Sequence, residues 1–290
     1  AVDLDVVRQI REEGLERSHI EELARYLTEV NGPRLTGSPG MQAAHEWTAK
    51  TFEEWGLENI VIEPWGEFGR GWSHEDYKGR FLTPWVQPLQ GQPLAWTGST
   101  DGTVRGTAVV VKAETVEDLE AYRGKLDGTF VLMEDMQEVV PEFEHQDRRS
   151  SLEYLLSQPE PQTRQAAANP DREAMMARMR AQREVRAAIQ GMVEAEGALA
   201  FLRISSRDDG VIRGGSAGSR EAGAPEGLPH VALSREQYNQ IYRNVEAGVP
   251  VEIELMVKNR FHEDDLQQYN SLADIPGTDK ADEYVMLGAH

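Results

Sequence analysis

The chain has 290 residues, of which 39% are hydrophobic and 28% are charged. This composition is typical of a soluble globular protein and excludes an intrinsically disordered chain. The 50 acidic residues exceed the 30 basic residues, so the formal net charge is −20, which disfavours nucleic acid and anionic membranes as partners. The sequence contains no cysteine. Disulfides, thiolate catalysis and cysteine-bound zinc are therefore excluded, and any metal must bind histidine and carboxylate ligands.

The sequence contains no segment that predicts a membrane span, because no apolar run approaches the roughly 18 residues that cross a bilayer. The chain begins with Ala-Val-Asp and shows no signal peptide. We expect a secreted or periplasmic protein from which an export signal has been removed.

Two helices are predicted near the start of the chain. The first begins at a capping box of Ser18 and Glu21, whose side chains can satisfy each other's backbone donors. The second has Ser38 as its N-cap, Pro39 as its first residue and Gly56 at its C-terminal cap. Apolar residues at helical spacing predict one buried face on the first helix: Ile20, Leu23, Ala24, Leu27 and Val30.

A short strand is predicted over residues 59–63, and residues 64–102 then show no sustained hydrophobic period. This region is rich in tryptophan: Trp65, Trp72, Trp85 and Trp96. Tryptophans on loops can form a sugar-binding platform, although they more often fill a core or the seam between domains.

From residue 103 onward, β-branched runs predict a set of five strands and one helix. The helix, 234–247, has Ser234 as its cap and lies between the last two strands. The strands are predicted over these ranges: 104–111, 129–133, 198–204, 229–233 and 249–257.

A long polar insertion, residues 138–196, separates the second and third of these strands. Asn169-Pro170-Asp171 predicts the start of a helix within it. We interpret this helix either as a lid or partner-binding arm, or as a solvated helix lying on its own domain, and we favour the second reading. Its predicted buried side is Met175, Met179, Val185, Ile189 and Val193.

The last 22 residues predict a strand over 269–275, a turn over 276–279 and a further strand over 284–287. Gly288-Ala289-His290 follows that last strand. A histidine at the carboxyl end of an apolar strand lies where α/β folds place their ligands, so His290 is a candidate metal ligand.

Three other motifs are weaker candidates for chemistry. Gly214–Gly218 matches the Gly-x-Ser-x-Gly nucleophile elbow, but its flanks predict a loop rather than strand-turn-helix. His262-Glu263 begins a zinc motif in which Leu266 replaces the second histidine. An acidic run can form a divalent-cation cluster, although such runs are usually solvated: Glu142, Glu144, His145 and Asp147.

Three segments of the sequence resemble one enzyme family. Residues 31–40, Asn-Gly-Pro-Arg-Leu-Thr-Gly-Ser-Pro-Gly, are similar to the opening of the di-zinc exopeptidases, which include bacterial leucyl aminopeptidases and plasma glutamate carboxypeptidase. Residues 269–278 resemble the strand and turn before the catalytic centre of that family. Residues 284–290 resemble the strand that delivers its first zinc ligand, and the three segments occur in the family's order.

The resemblance implies an α/β fold in three stretches. Residues 1–102 and 258–290 would form an incomplete, aminopeptidase-like α/β domain. Residues 103–257 would form an inserted, β-rich protease-associated domain that carries the helical insertion. On this interpretation the chain is an N-terminal fragment that ends at the first zinc ligand.

The resemblance also implies a chemistry. Two zinc ions share a bridging carboxylate and a water molecule, which they activate to attack the terminal peptide bond, while a Glu carries the proton to the leaving amine. His290 would be one zinc ligand, and the catalytic residues and remaining ligands are expected beyond position 290. One imidazole does not hold a catalytic zinc. The expected partner is a peptide substrate. We expect this chain alone neither to bind zinc tightly nor to hydrolyse peptides.

Two questions stay open at this stage. The sequence does not distinguish an aminopeptidase from a carboxypeptidase, because the residues of the specificity pocket are expected outside it. The alternative function is a non-catalytic interaction module, in which the protease-associated domain binds partner proteins and the peptidase-like segments form a scaffold.

Overall fold

The computed structural model describes residues 2–113, 115, 117–140, 143, 149–157, 170–278, 280 and 282–289. The architecture is mixed α/β, as predicted. The chain divides into two compact units, which are described separately. The first unit comprises residues 1–74, 219–225 and 260–290, and the second comprises residues 75–218 and 226–259.

The first unit opens with a helix that the sequence analysis missed, α1 (Leu4–Glu16). Asp3 caps it, because its side chain accepts hydrogen bonds from the backbone N–H groups of Asp5 and Val6 at 2.9 and 3.2 Å. None of the α1 residues is buried. The helix therefore depends on its cap and on local pairs such as Arg17 with Glu13, 2.8 Å apart, rather than on a packed face.

The second helix, α2 (Ile20–Arg25), runs into a π-helical turn, Tyr26–Val30. The predicted capping box is wrong: His19 is the N-cap and makes no side-chain capping bond, while the Ser18 hydroxyl accepts only a long bond of 3.4 Å from Ile20 N–H. The predicted buried face is also wrong, since neither α2 nor the turn contains a buried residue. A π-helical turn has a longer period than 3.6 residues, so an apolar stripe at α-helical spacing does not stay on one side.

The third helix, α3 (Pro39–Glu54), confirms its predicted signals. The Ser38 hydroxyl accepts from Met41 N–H at 3.2 Å, Pro39 is the first residue, and Gly56 has a φ of +78° just beyond the C-terminus. Its buried residues are Ala44 and His45.

Helix α3 packs on a two-stranded antiparallel sheet of β1 (Glu58–Glu67) and β10 (Gln267–Asp274), whose predicted positions are confirmed. His45 Nδ1 lies 2.9 Å from Ser271 Oγ, which joins the helix to the sheet. The neighbouring pair on the other face, Val61 and Leu272, is exposed by 46 and 42%. The sheet is therefore partly covered by α3 on one face and exposed on the other.

The predicted strand over 284–287 is not formed. Tyr284, Val285, Met286 and Leu287 are each at least 88% exposed, and no described residue from 275 to 289 belongs to a strand. An apolar run becomes a strand only where another backbone pairs with it, and here none does.

The sheet of the second unit has eight strands in the order β3-β2-β9-β5-β6-β7-β8-β4. Residues 71–74 of β2 and 260–262 of β9 belong to the first unit. Strands β5 to β8 are parallel neighbours, and β9 and β4 pair antiparallel with the two ends of that group. The strands are β2 (Gly71–Phe81), β3 (Gln87–Pro88), β4 (Gly91–Pro93), β5 (Val104–Val110), β6 (Thr129–Leu132), β7 (Ala200–Ile204), β8 (His230–Leu233) and β9 (Glu252–His262).

The five strands predicted after residue 103 are thus confirmed, but β2 was not predicted. Its sequence, Gly-Trp-Ser-His-Glu-Asp-Tyr-Lys-Gly-Arg-Phe, is polar in the middle and buried mainly at its ends. Neither the apolar alternation of a half-buried strand nor the apolar run of a buried one is present.

Two apolar layers cover the parallel strands. On one face, α6 (Arg235–Glu246) packs through Tyr238, Ile241 and Tyr242 against Phe130, Leu202 and their neighbours. Ser234 caps this helix as predicted, since its hydroxyl accepts from Gln237 N–H. The other cluster includes Val131 and Phe201 and is covered by a 3₁₀ turn, Glu117–Tyr122, and by the end of helix α5 (Pro170–Ala195).

The predicted helix of the polar insertion is α5 (Pro170–Ala195), preceded by a short helix α4 (Leu152–Ser157). Only the carboxyl-terminal part of its predicted buried side is buried: Ile189 is 3% and Val193 is 0% exposed. Met175, Met179 and Val185 are exposed by 60, 37 and 37%. The prediction of a single buried side is therefore right for the last two turns and wrong for the others. No helix within the described ranges is long and apolar enough to cross a membrane.

Helix α5 should contribute stability only through its buried end. We expect Ile189→Ala to lower the free energy of unfolding by about 2–4 kcal/mol, because it leaves a cavity between the helix and the sheet. The control Met175→Ala, on the exposed part, should change it by less than about 0.5 kcal/mol. Urea unfolding followed by far-ultraviolet circular dichroism measures both, and equal effects would contradict this arrangement.

Candidate functional site

The predicted metal ligand, His290, lies outside the described residues, as do Glu142, Glu144, His145 and Asp147 of the acidic run. The structure therefore does not test these candidates. Among the described ranges, no group of three or more His, Asp or Glu side chains is arranged to hold a metal ion. A catalytic zinc needs about three protein ligands, so the described side chains do not fit a zinc centre.

The Gly-x-Ser-x-Gly match, Gly214–Gly218, is a surface loop, as its flanks predicted. Ser216 is exposed and forms an isolated parallel bridge with Ala95, with no strand before it and no helix after it. Gly218 is required for packing, because a Cβ there would lie 1.4 Å from the carbonyl oxygen of Trp96. Gly218 thus permits a close backbone approach, and the loop does not present a nucleophile.

His262 and Glu263 hold parts of the first unit together. His262 Nε2 lies 2.8 Å from Ser73 Oγ. Glu263 accepts hydrogen bonds from Gly223 N–H at 3.2 Å and from Arg70 at 3.4 Å. Both side chains are engaged by protein groups, which explains this incomplete zinc motif as a structural feature.

The most buried charge in the described residues is Arg70, which is 1% exposed and was not identified from the sequence. Its Nε donates to the carbonyl of Ser219 at 3.0 Å, and its two terminal nitrogens donate to the carbonyls of Ala224 and Pro225 at 2.7 and 3.2 Å. The guanidinium carbon also lies 4.0 Å from the ring centroid of Phe261. Arg70 therefore fixes residues 219–225 within the first unit.

A second arginine of the first unit lies over an aromatic ring, that of Phe68, two residues before Arg70. The guanidinium of Arg220 lies 4.4 Å from the ring centroid of Phe68, and Arg70 N–H donates to the Arg220 carbonyl at 2.9 Å. Gly69, with a φ of +114°, leaves room for this pairing, because a Cβ would lie 2.3 Å from the Arg220 oxygen. The only sequence sign of the site is the pair of glycines around Arg70, at which the backbone must come close to another segment.

The second unit has a polar cluster where β6 and β7 end, which the sequence analysis also missed. Glu134 accepts from Arg186 of α5 at 2.7 Å and from Arg203 of β7, and its Oε2 is buried without a partner among the described residues. Arg203 donates to His230 Nδ1 at 3.2 Å, since a guanidinium is only a donor. Glu134 thereby joins α5 to the sheet.

Burial, aided by the charges of Arg203 and Arg186, lowers the pKa of His230 from 6.5 to about 3. The ring is 4% exposed, and its centroid lies 4.5 Å from that of Phe201. At neutral pH His230 is therefore a neutral acceptor for Arg203, and it does not exchange protons near pH 7 as a general base would.

The tryptophans do not form one platform. Trp72 and Trp96 are buried at 4 and 7% exposure, whereas Trp65 and Trp85 are exposed by 55 and 57%. Trp65 belongs to the first unit and Trp85 to the second. Burial of two of the four agrees with tryptophans that fill cores.

Comparison with known proteins gives a likeness in structure but not in sequence. No protein-family model matches the sequence, and no curated protein matches it. A peptidase M28 precursor from Shewanella amazonensis SB2B matches the structure with a TM-score of 0.54 and 22% identity, over 96% of this chain and 55% of its own. The chain shares the fold of that part of a peptidase.

Two further solved structures match less well. An aminopeptidase from Aneurinibacillus sp. strain AM-1 has a TM-score of 0.44 and 16% identity, over 91% of this chain and 50% of its own. BSAP, a zinc aminopeptidase from Bacillus subtilis, has a TM-score of 0.47 and 11% identity, over 90% of this chain and 47% of its own. The chain thus spans about half the length of the solved structures that it matches.

Removal of the Arg70 guanidinium should release residues 219–225. We expect Arg70→Met to lower the free energy of unfolding by about 2–4 kcal/mol, because three carbonyls lose their donors. Trypsin should then cut after Arg220 faster than in the wild-type chain. Glu263→Gln is the control, since it keeps all three carbonyl contacts and should leave the cleavage rate close to that of the wild type. Equal rates for Arg70→Met and the wild type would contradict this role.

The buried His230 should make the protein less stable in mild acid. The unfolded chain gains a proton near pH 6.5 that the folded chain takes up only near pH 3, so the free energy of unfolding falls as the pH drops through that range. The slope approaches about 1.4 kcal/mol per pH unit. In His230→Gln, which keeps an acceptor for Arg203, the loss between pH 7 and pH 5 should be smaller by about 2 kcal/mol. Urea unfolding at both pH values tests this, and identical losses would show that His230 does not cause it.

Proposed function

We propose that this chain is the N-terminal part of a zinc-dependent exopeptidase, which removes terminal residues from peptides. The observation that carries the proposal is the fold: 96% of the chain matches a peptidase M28 precursor with a TM-score of 0.54. Independent support comes from residues 31–40, 269–278 and 284–290, which resemble the di-zinc exopeptidases in sequence and in order.

In this proposal the opening of the peptidase domain, 1–102 and 258–290, includes all of the first unit except residues 219–225, and the protease-associated domain, 103–257, lies in the second unit except for those same residues. His290 would be a zinc ligand in the complete protein, and the remaining ligands and catalytic residues would follow it. Export to the periplasm or the medium completes the proposal and is consistent with the acidic composition. The choice between the amino and the carboxyl end of the substrate would be made by residues beyond position 290.

The alternative is a non-catalytic interaction module. The second unit favours it, because its eight-stranded sheet has a continuous core of its own and displays exposed apolar side chains on α5. The two functions differ in what residues beyond position 290 must supply: zinc ligands for the exopeptidase, and none for the interaction module.

The deciding experiment uses the complete gene product. We expect it to release terminal amino acids from short peptides and to lose that activity with 1,10-phenanthroline and regain it with zinc. Residues 1–290 alone should be inactive, because one histidine does not hold a catalytic zinc. His290→Ala in the complete protein should lower kcat/KM by at least about a hundredfold. A folded complete protein without chelator-sensitive hydrolysis would favour the interaction module.

A further inference from the structure

One turn of helix α5 carries three methionine side chains at the protein surface. Met175, Met176 and Met179 are exposed by 60, 44 and 37%. They are three of the nine methionines in the sequence, so five consecutive positions hold a third of its thioether groups. Core packing does not account for them, because the buried part of α5 is its end, where Ile189 and Val193 are 3 and 0% exposed. Their sulfur atoms are therefore accessible to a ligand from solvent.

Helix geometry brings these three side chains together. Each residue advances about 100° around a helix, so Met179 lies about 40° from Met175 and about 60° from Met176, one turn farther along. Side chains three and four positions apart are neighbours on the helix surface, with Cβ atoms about 5–6 Å apart. Each methionine has three rotatable bonds between the backbone and the sulfur region. The three sulfurs can therefore converge on a single ion that lies over this turn.

The chemistry of the turn selects a soft, monovalent metal ion. Thioether sulfur is neutral and polarizable, and it is a ligand that favours Cu(I). The segment from Ala174 to Arg180 contains no His, Asp or Glu, the residue types that bind zinc, calcium and magnesium. Arg178 and Arg180 are exposed and border the methionines on either side of the helix. Their positive charges repel a divalent ion more strongly than a monovalent one.

We propose that Met175, Met176 and Met179, the methionine triad, bind one Cu(I) ion through their three sulfur atoms. The neutral ligands leave a single positive charge on the ion, and its repulsion by the two arginines is screened at this exposed surface. The triad belongs to the second unit. Its thioether ligands differ from the histidine and carboxylates of the proposed zinc centre, so the two proposals are independent of each other.

The test uses the 290-residue chain with its methionines labelled with ¹³C in the methyl group. The chain is titrated with the acetonitrile complex of Cu(I) in the absence of oxygen, and the methyl signals are followed by NMR. Each signal is assigned by the Met→Leu variant that lacks it. We expect the three triad signals to move together with one dissociation constant, at a stoichiometry of one ion per chain. Zn(II) at the same concentrations should move none of them.

Leucine substitutions isolate the role of sulfur, because leucine keeps the apolar surface and the helix propensity. In Met179→Leu the two remaining triad signals should require at least about tenfold more Cu(I), since a ligand has been lost. The matched control is Met136→Leu, which removes an exposed methionine of the same unit outside α5 and should leave the affinity within about twofold. Circular dichroism shows whether each variant is folded.

Three results would overturn the proposal. The first is the absence of any shift in the triad signals. The second is a set of separate dissociation constants for the three methionines. The third is an equal response of the single exposed methionines Met136 and Met286, which are 44 and 90% exposed, because the ion would then bind any accessible thioether. In the complete protein, the variant with all three triad residues changed to leucine should hydrolyse peptides normally, so failure of one proposal does not imply failure of the other.

Discussion

The buried guanidinium of Arg70 is the interaction on which the first unit depends. A charge removed from water must be satisfied by hydrogen bonds or an ion pair, and Arg70 obtains its partners from segments far away in the sequence. Its acceptors in residues 219–225 are 149 to 155 positions away, and Glu263 is 193 positions away. The geometry of the site therefore requires three distant segments to be in place together. The buried guanidinium thus favours one arrangement of the chain over others, in addition to stabilising it.

Much of the second unit followed from local signals. Strand β6 is buried along its whole length, so its apolar run Phe130 to Leu132 could be recognised without knowing its neighbours. Ser234 and Ser38 were recognised as caps because a cap involves only the next three residues. The burial of helix α5 could be predicted only in part. Its apolar pattern predicts which side faces the sheet, but how many of its turns are buried depends on how far the sheet extends beneath it.

Apart from helix α1, which Asp3 caps locally, the main features that the sequence did not reveal are long-range. Arg70, Arg203 and Glu134 are ordinary charged residues until the fold brings their partners close. Strand β2 is recognisable only through its pairing with β9 and β3, since its own pattern is polar. The apolar run 284–287 shows the reverse case, because it has strand character but no paired backbone in the structure. The predicted metal ligand, His290, belongs to neither group, since it lies outside the described residues.

The placement of residues 219–225 has a consequence for synthesis on the ribosome. These residues belong to the first unit, although the sequence on either side of them belongs to the second. Arg70 leaves the ribosome 149 residues before Ser219, one of its acceptors, and at 5–20 residues per second this separation lasts roughly 7–30 seconds. During that interval the guanidinium has to remain hydrated. The amino-terminal segment must therefore wait for most of the second unit to be translated before its own fold can close.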